Sequence, residues 1–275
     1  MSEAGPGRAP VSVCALVCNE EQELARCLAS VAWADEIVVV VDAKSTDGSE
    51  AVARRLASRV ERRAYAGDVE QKRFAVSLAQ HDWVFVLDPD EVVTPELSAA
   101  MREALATDPT SGASPVAYQV NRATYHLGRW IRHGDFYPDW KLRLFRRSLA
   151  RFVGRDPHGR VEVEGAQGCL AGDLLHYSYR DLADQIARIQ FFSGEAASAL
   201  ARDGVRFRLH QLVLHPPARF LRSYVLRRGF QDGLPGFVIA VASAFYVFLK
   251  YAKLWERTRR GDGEEEAARR LPPAA

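Results

Sequence analysis

An apolar run that ends abruptly in carboxylates, residues 83–91, is the strongest constraint on the fold of this chain. Such a run is typical of an interior strand in a covered sheet, and ligands of open α/β sheets bind beyond the carboxyl ends of such strands. Asp88 and Asp90 can face the same side of an extended segment and share a divalent cation held on a substrate phosphate. The same residues also suit a solvated turn before a helix that Thr94 caps and Pro95 opens.

The same succession of apolar strand, polar loop and helix precedes this segment. Strands 11–17 and 36–41 end in acidic or amide residues, on the edge where a ligand would bind. Alternating β and α units predict a mainly parallel α/β sheet with helices on both faces. The other predicted elements are helices 21–31 and 68–79, a helix opened by the turn 44–49, and a short strand 60–65.

Composition excludes several classes of protein. The 275 residues include 37 Lys and Arg against 35 Asp and Glu, so the net charge of +2 gives no global electrostatic basis for nucleic-acid binding. The four cysteines, at 14, 18, 27 and 169, fit no zinc spacing, and unpaired core thiols suggest a reducing compartment. Residues 1–10 are too short and polar for a signal peptide and are expected to be a disordered leader.

The chain becomes basic and helical beyond residue 185. The nearly uncharged stretch 234–249 is flanked by cations on both sides and is shorter than a typical membrane span. This pattern favours an interfacial helix on anionic lipid, although a helix packed on the enzyme core has the same composition. Residues 185–260 are therefore assigned to a basic, amphipathic helical extension, and 261–275 to a disordered tail.

The loop motifs resemble the nucleotide-sugar half of glycosyltransferase family 2, the inverting transferases of GT-A fold. The resemblance covers about residues 11–256, and its later part is similar to the branch of lipopolysaccharide inner-core β-glucosyltransferases. It implies a GT-A (Rossmann-like) domain over 11–184. The segments that carry it are Asn19-Glu20-Glu21, 42–48, 87–91, 134–139, 142–146, 174–179 and 249–256.

The resemblance implies a donor site for a nucleotide sugar and Mg²⁺ or Mn²⁺. Asp90 would ligate the metal directly, whereas Asp88 would contact the ribose or a metal-bound water. The metal and a lysine would neutralise the departing nucleoside diphosphate. The remaining implied donor-site residues are Asn19 and Glu20 on the nucleotide pocket, Asp42 on the base or ribose, and Lys72 near the diphosphate.

Inversion also requires a carboxylate that takes the proton of the acceptor hydroxyl. Asp139 is the first choice, because its segment resembles the acidic motif that begins the acceptor-side helix of related transferases; a plain helix N-cap is the alternative. The second choice is the loop with Asp156 and His158, where relatives have glutamate at the position of Gly159. The nearby aromatic Trp140 is a candidate for stacking on a sugar.

Together these features predict a metal-dependent inverting glycosyltransferase. The expected donor is a UDP-sugar, with glucose as the expected sugar, and the expected acceptor is a lipid-linked or lipopolysaccharide-core glycan. The expected location is the inner face of the bacterial cytoplasmic membrane, where the basic extension meets anionic lipid.

Two other functions use similar residues. A sugar nucleotidyltransferase also places paired carboxylates on a metal–diphosphate, but its first loop is usually glycine-rich and basic, and 18–23 is acidic without glycine. A non-catalytic, membrane-associated protein that binds nucleotide sugars is the other alternative, supported by Gly159.

Overall fold

The computed structural model describes residues 7–106, 114–154 and 159–270, with backbone alone for 260–270. The chain divides into two compact units. Unit 1 comprises 1–123 and 139–177, and unit 2 comprises 124–138 and 178–275. The segment 124–138 thus groups with the C-terminal helices, whereas the sequence placed it in one domain with the rest of 11–184.

Unit 1 begins with the alternating strands and helices that the sequence predicted. Thr94 caps the helix that follows the carboxylates, because its hydroxyl accepts a hydrogen bond from Leu97 N at 3.2 Å. The elements are β1 Val11–Val17, α1 Glu21–Ser30, β2 Glu36–Asp42, α2 Ser49–Leu56, β3 Arg59–Arg63, α3 Asp68–Leu78, β4 Trp83–Leu87, β5 Glu91–Val93 and α4 Pro95–Ala106.

The later strands turn the sheet into a mixed one. They are β6 Ala117–His126, β7 Arg129–Trp130, β8 Trp140–Arg146, β9 Ala150–Val153, β10 Arg160–Val163 and β11 Gln167–His176. The main sheet has the order β3-β2-β1-β4-β8-β6-β11-β5, and β9 and β10 form a separate hairpin. β1 to β4 are parallel, whereas β8 is antiparallel to β4 and β5 is antiparallel to β11.

Alternate residues of the parallel strands enter apolar clusters on opposite faces of the sheet. In β1, Val13 and Ala15 belong to one cluster and Cys14 to the other. Helices α1, α2 and α4 cover the first face, and α3 covers the second. Because both faces are buried, these strands read as continuous apolar runs rather than as alternating patterns.

Unit 2 contains the C-terminal helices. They are α5 Leu182–Arg202, α6 Leu209–Leu221 and α7 Gly233–Arg270. A π-helical turn, Arg222–Leu226, and a 3-10 turn, Gly229–Asp232, connect α6 to α7. Ala197 of α5 packs with Tyr251 and Leu254 of α7 in a small core. The mixed sheet, its covering helices and this helical region confirm the predicted fold class.

Two segments differ from what the sequence suggested. Asp139 precedes the strand β8 rather than a helix. Helix α7 continues to Arg270, whereas a disordered tail was expected from Gly261; the intervening alanines, glutamates and arginines are strong helix formers. Residues 1–6 of the expected leader and 271–275 of the tail lie outside the described residues.

The close approach of β11 to α4 gives a test of the packing. Gly172 and Gly128 both have left-handed backbones, with φ of 85° and 81°. A Cβ at 172 would clash with Leu97 N, whereas a Cβ at 128 meets nothing within 4 Å. Gly172→Ala should therefore lower the free energy of unfolding by about 1–3 kcal/mol more than Gly128→Ala, as measured by urea denaturation. Equal losses in the two variants would contradict this packing.

Candidate active site

The register of the parallel strands brings the polar loops to one edge of the sheet. Val17 of β1 lies beside Val41 of β2, and Ala15 lies beside Leu87 of β4. The strands therefore end close together, at the edge where ligands of such sheets bind. The loops that follow them are 18–20, 42–48 and 88–91.

Asn19 ties the first two loops together. Its backbone is left-handed, with φ of 57°. Its side-chain oxygen accepts hydrogen bonds from the backbone nitrogens of Thr46 at 2.8 Å and Asp47 at 3.3 Å. Its own backbone nitrogen donates to the Ser45 hydroxyl at 3.1 Å. Asn19 therefore shapes one wall of this edge through its contacts with the neighbouring loop.

Acidic side chains crowd the same edge. Asp42 is buried and accepts a hydrogen bond from Lys44 N at 2.9 Å. Partial burial and the nearby charges of Asp42 and Glu20 raise the pKa of the exposed Cys18 thiol. Burial, followed by the charge of Asp90, raises the pKa of Glu20 to about 7. Glu20 and Asp90 thus repel each other, and a bound cation would relieve that repulsion.

Asp88 is held by cations. Its carboxylate contacts Arg143 Nη2 at 2.6 Å and Lys72 Nζ at 3.3 Å. Arg143 also contacts Glu91 at 2.6 Å, and Glu91 is fully buried. Burial alone would raise the pKa of Asp88, but Arg143 and Lys72 hold it far below its usual value, whereas burial keeps the pKa of Glu91 raised.

The ion pairs continue from Glu91 to the predicted base. Arg122 lies 3.6 Å from Glu91 and 2.7 Å from Asp139, and Lys141 lies 2.9 Å from Asp139. Burial alone would raise the pKa of Asp139, but Arg122 and Lys141 outweigh it and lower the pKa. Asp139 is therefore ionised at neutral pH and is joined to Asp88 through Arg122, Glu91 and Arg143.

His176 lies in the segment 174–179 and is a candidate site residue to which the sequence assigned no role. Its Nε2 lies 3.2 Å from Asp90 Oδ2. The antiparallel pairing of β11 with β5 places His176 beside Glu91, and Tyr177 N donates to Asp90 O at 2.9 Å. Asp90 and His176 are far apart in the sequence, so no local pattern could indicate their contact. The presence of a histidine in the segment 174–179 was the one signal that the sequence offered.

A divalent cation fits Asp90 and His176 better than it fits Asp88. His176 Nδ1 is buried without a hydrogen-bond partner among the described residues, so Asp90 is the polar contact of the ring that the structure shows. No group of three or more His, Cys, Asp or Glu suited to a metal occurs within the described residues. Two protein donors suit Mg²⁺ or Mn²⁺, which commonly complete their coordination with substrate phosphate and water.

A cleft of about 500 Å³ in unit 1 borders Asp88. Trp140, which is 43% exposed, forms part of its wall; its stacking on a sugar stays a prediction. Cationic side chains predominate among the charged lining residues, so the cleft favours an anionic ligand. The charged lining residues are Asp68, Lys72, Asp88, Arg122, Lys141, Arg143 and Arg160.

Of the second candidate loop for the base, 155–159, the structure describes Gly159. Asp156 and His158 lie outside the described residues. Gly159 borders the cleft, and a Cβ at this position would clash with Val69 of α3. Any side chain at 159 would therefore require Val69 to shift.

Comparisons with known proteins agree with this fold and show the family. The profile described as Glycosyl transferase family 2 matches residues 12–163. The chain is 31% identical over 255 residues to the lipopolysaccharide core biosynthesis glycosyltransferase LpsC of Rhizobium meliloti strain 1021, a match that covers 90% of this chain and 93% of that protein. It is also 31% identical over 248 residues to an uncharacterised glycosyltransferase of Rickettsia typhi, covering 86% and 84%.

A solved structure shares the fold at lower sequence similarity. The mannosyltransferase PcManGT from Pyrobaculum calidifontis, in complex with GDP-Man and Mn²⁺, superposes with a TM-score of 0.50 at 18% identity. The superposition covers 93% of this chain and 90% of that one. At this identity the likeness establishes the common fold.

The buried ion pairs around Arg143 predict a pH-dependent stability defect. Arg143→Met leaves Asp88 and Glu91 without their shared cation and should lower the free energy of unfolding by about 3–5 kcal/mol at neutral pH. Without that cation both carboxylates protonate more readily, so the deficit should shrink as the pH falls from about 7.5 to 5. In the unsubstituted protein the lowered pKa of Asp88 preserves its contribution throughout this range.

Urea denaturation at both pH values measures the effect. Arg54→Met is the matched control, because Arg54 is 66% exposed and pairs with Glu50 on the surface of α2. That variant should lose less than about 1 kcal/mol at either pH. An equally small loss in Arg143→Met would show that the ion pairs do not support the site.

Proposed function

The chain belongs to glycosyltransferase family 2, and we propose that it transfers a sugar, with glucose the first to test, from a UDP-sugar to a lipid-linked or lipopolysaccharide-core glycan. The observation that carries the proposal is the Asp90–His176 contact, 3.2 Å long, on the sheet edge where the loops of β1, β2 and β4 meet. Lys72 and a cation-lined cleft adjoin the same edge.

The donor nucleotide is assigned to the loops that follow β1 and β2. Asp42 and Glu20 supply hydrogen-bond acceptors for ribose hydroxyls or for the N–H of uracil. Asn19 holds the neighbouring loop in shape, and Lys72 supplies positive charge for the diphosphate. PcManGT was solved with GDP-Man, so GDP-sugars belong in the donor panel.

Asp90 and His176 are assigned to the metal, Mg²⁺ or Mn²⁺. The solved complex of PcManGT contains Mn²⁺, which supports this choice. When bound, the cation supplies positive charge against the departing nucleoside diphosphate. Asp88 is assigned to donor positioning, because Arg143 and Lys72 already compensate its charge.

Asp139 is the proposed general base. Its carboxylate is ionised at neutral pH, and its neighbours Trp140 and Lys141 line the cleft in which an acceptor sugar fits. Arg122 and Lys141 fix its orientation. The same two cations make it a weaker base than an isolated aspartate, so its advantage is position and a permanently available charge.

The acceptor is proposed to be anchored in the inner face of a bacterial membrane. The name of LpsC refers to lipopolysaccharide core biosynthesis, which supports a glycan of that class. Within the described residues one helical stretch, Gly229–Arg259, is long and apolar enough to span a membrane, with a mean hydropathy of 1.7 and 28% of its apolar window buried. The uncharged part of this stretch, 234–249, is shorter than a typical span, so binding at the membrane surface is the proposed placement.

Turnover of the UDP-sugar tests both the reaction and the metal. The protein should release UDP from UDP-glucose in the presence of Mn²⁺ and glycan acceptor, and EDTA should stop it. Asp90→Asn should lower the rate at least about 100-fold, and His176→Ala should lower it about 10- to 100-fold. Release of pyrophosphate instead of UDP would identify a nucleotidyltransferase, and nucleotide binding without turnover would identify a binding protein.

A binding measurement separates loss of metal from loss of fold. In the unsubstituted protein UDP with Mn²⁺ should protect the exposed Cys18 from alkylation, whereas the exposed Cys169 should react as before. Asp90→Asn should show weak protection with or without metal. Asp82→Asn, at the opposite end of β4, is the control and should behave like the unsubstituted protein. EDTA-resistant turnover in Asp90→Asn would refute the metal assignment.

The base assignment predicts a pH profile. Asp139→Asn should lower transfer by about 100-fold or more while UDP binding stays nearly unchanged. Because Arg122 and Lys141 lower the pKa of Asp139, the rate should fall only at pH values below the ordinary aspartate range. Lys141→Gln removes one of these charges and should move that acid limb to higher pH, a shift that a purely structural aspartate would not cause.

Rates measured from about pH 2.5 to 8, alongside calorimetry of UDP binding, check the profile. Activity in Asp139→Asn together with loss of transfer in Asp156→Asn, at intact UDP binding, would move the base to the 155–159 loop. If Asp139 is the base, His158→Ala and Asp156→Asn are expected to be milder, altering acceptor affinity or the order of the loop.

A further inference from the structure

The turn between α6 and α7 has an unusual backbone. It passes from the π-helical turn Arg222–Leu226 through Arg228, which has a left-handed φ of 56°, into the 3-10 turn Gly229–Asp232. Helices α6 and α7, which this turn connects, pack against each other. Residues 209–249 are referred to below as the α6–α7 hairpin.

Two buried carboxylates fix this turn. Asp232 is fully buried, accepts a hydrogen bond from His133 N at 2.8 Å, and lies 3.6 Å from the Arg129 guanidinium. Asp135, whose side chain is 3% exposed, lies 2.9 Å from Arg219 and 3.5 Å from Arg227. Each of these buried carboxylates is thus compensated by partly exposed arginines or by backbone N–H groups, and together they tie the turn to the segment 129–135.

This fixed turn exposes large apolar side chains. Leu226 is 78% exposed and Leu234 is 74% exposed. Leu221 and Phe230 nearby are 55% and 49% exposed. Several large apolar side chains exposed together on one turn are typical of a surface that contacts another molecule or a membrane.

The exposed apolar surface continues along both helices of the hairpin. Stretches 209–218 and 233–249 contain no Asp, Glu, Lys or Arg. Leu234, Phe237, Val241, Phe245 and Phe248 of α7 are exposed at helical spacing, as are Leu209 and Val213 of α6. The hairpin is therefore apolar on surfaces that the protein itself leaves uncovered.

Cations border this surface at both ends of the apolar part of α7. Arg222 and Arg228 are exposed in the turn, and Lys250, Arg257 and Arg259 follow the apolar stretch. Between residues 205 and 259 the acidic residues are Asp232 and Glu256, and Asp232 is buried. An apolar strip with cations at both ends matches the boundary between acyl chains and anionic headgroups.

We propose that the α6–α7 hairpin lies flat in the headgroup region of an anionic bilayer, with Leu226 and Leu234 among the acyl chains and the arginines of the turn on lipid phosphates. The inference rests on the proposed membrane-anchored acceptor and names the surface that meets the membrane. The apolar stretch 234–249 is about 24 Å long as a helix, shorter than a hydrocarbon core of about 30 Å, and charges at both its ends suit parallel rather than crossing placement.

Vesicle co-sedimentation of the full chain tests the surface. The protein should bind phosphatidylcholine vesicles containing phosphatidylglycerol, bind phosphatidylcholine alone much more weakly, and be partly released by high salt. The double variant Leu226→Asp/Leu234→Asp should bind at least about tenfold more weakly. Arg222→Gln/Arg228→Gln should also lose about tenfold on the anionic vesicles alone.

Matched controls are available in unit 1. Leu56 is a 38% exposed leucine and Arg55 is an exposed arginine, both on α2. Leu56→Asp and Arg55→Gln should bind vesicles like the unsubstituted protein. Circular dichroism and gel filtration should show that every variant is folded, because each substituted side chain is exposed.

The outcomes separate this inference from the proposed reaction. Release of UDP from UDP-glucose with a soluble acceptor should be unchanged in the turn variants, since their residues lie outside the donor and acceptor sites. Undiminished vesicle binding by both turn variants would overturn the inference even if the enzyme is active. Resistance of the bound protein to carbonate extraction would indicate a spanning helix, and a dimer dissociated by Leu226→Asp/Leu234→Asp would assign the surface to a second copy of the chain; either result would refute the proposal.

Discussion

The buried guanidinium of Arg143, placed between Asp88 and Glu91, is the interaction on which the active site depends. Glu91 is fully buried and would repel Asp88 across a short distance if Arg143 were absent. Desolvating such charges is expensive, so the arrangement is stable only because each charge has close partners. Through Arg122 the same ion pairs extend to Asp139. The proposed donor and acceptor sides are therefore joined by one chain of ion pairs.

This framework gives different environments to two carboxylates that look equivalent in the sequence. Asp88 faces Arg143 and Lys72, so its charge is already compensated. Asp90 faces His176 and lies near Glu20, whose raised pKa reflects burial and the charge of Asp90. Excess negative charge remains on the Asp90 side. A cation would accordingly relieve the repulsion at Asp90, and donor positioning is the role proposed for Asp88.

Unit 2 also contains buried carboxylates with close polar partners, but there they lie beside an apolar surface. Asp135 and Asp232 are buried carboxylates with arginine or backbone partners, and they tie the connection between α6 and α7 to the segment 129–135. The turn is therefore anchored through polar groups while its apolar side chains remain exposed. In unit 1 buried ion pairs arrange a polar edge, whereas in unit 2 they present an apolar surface.

The sequence by itself determined the elements whose signal is local. Period-two burial on two covered faces makes β1, β2 and β4 apolar runs, and turn and cap residues such as Thr94 mark where helices begin, so the parallel half of the sheet and its polar edge were predictable. The tertiary structure alone decided which carboxylate meets a histidine, because the pairing of β11 with β5 joins residues far apart in the chain. It also showed that Asp139 precedes a strand, that Arg143 pairs with Asp88, and that the hairpin leaves Leu226 exposed. Burial and partnership depend on the packing of distant segments, and no local pattern encodes them.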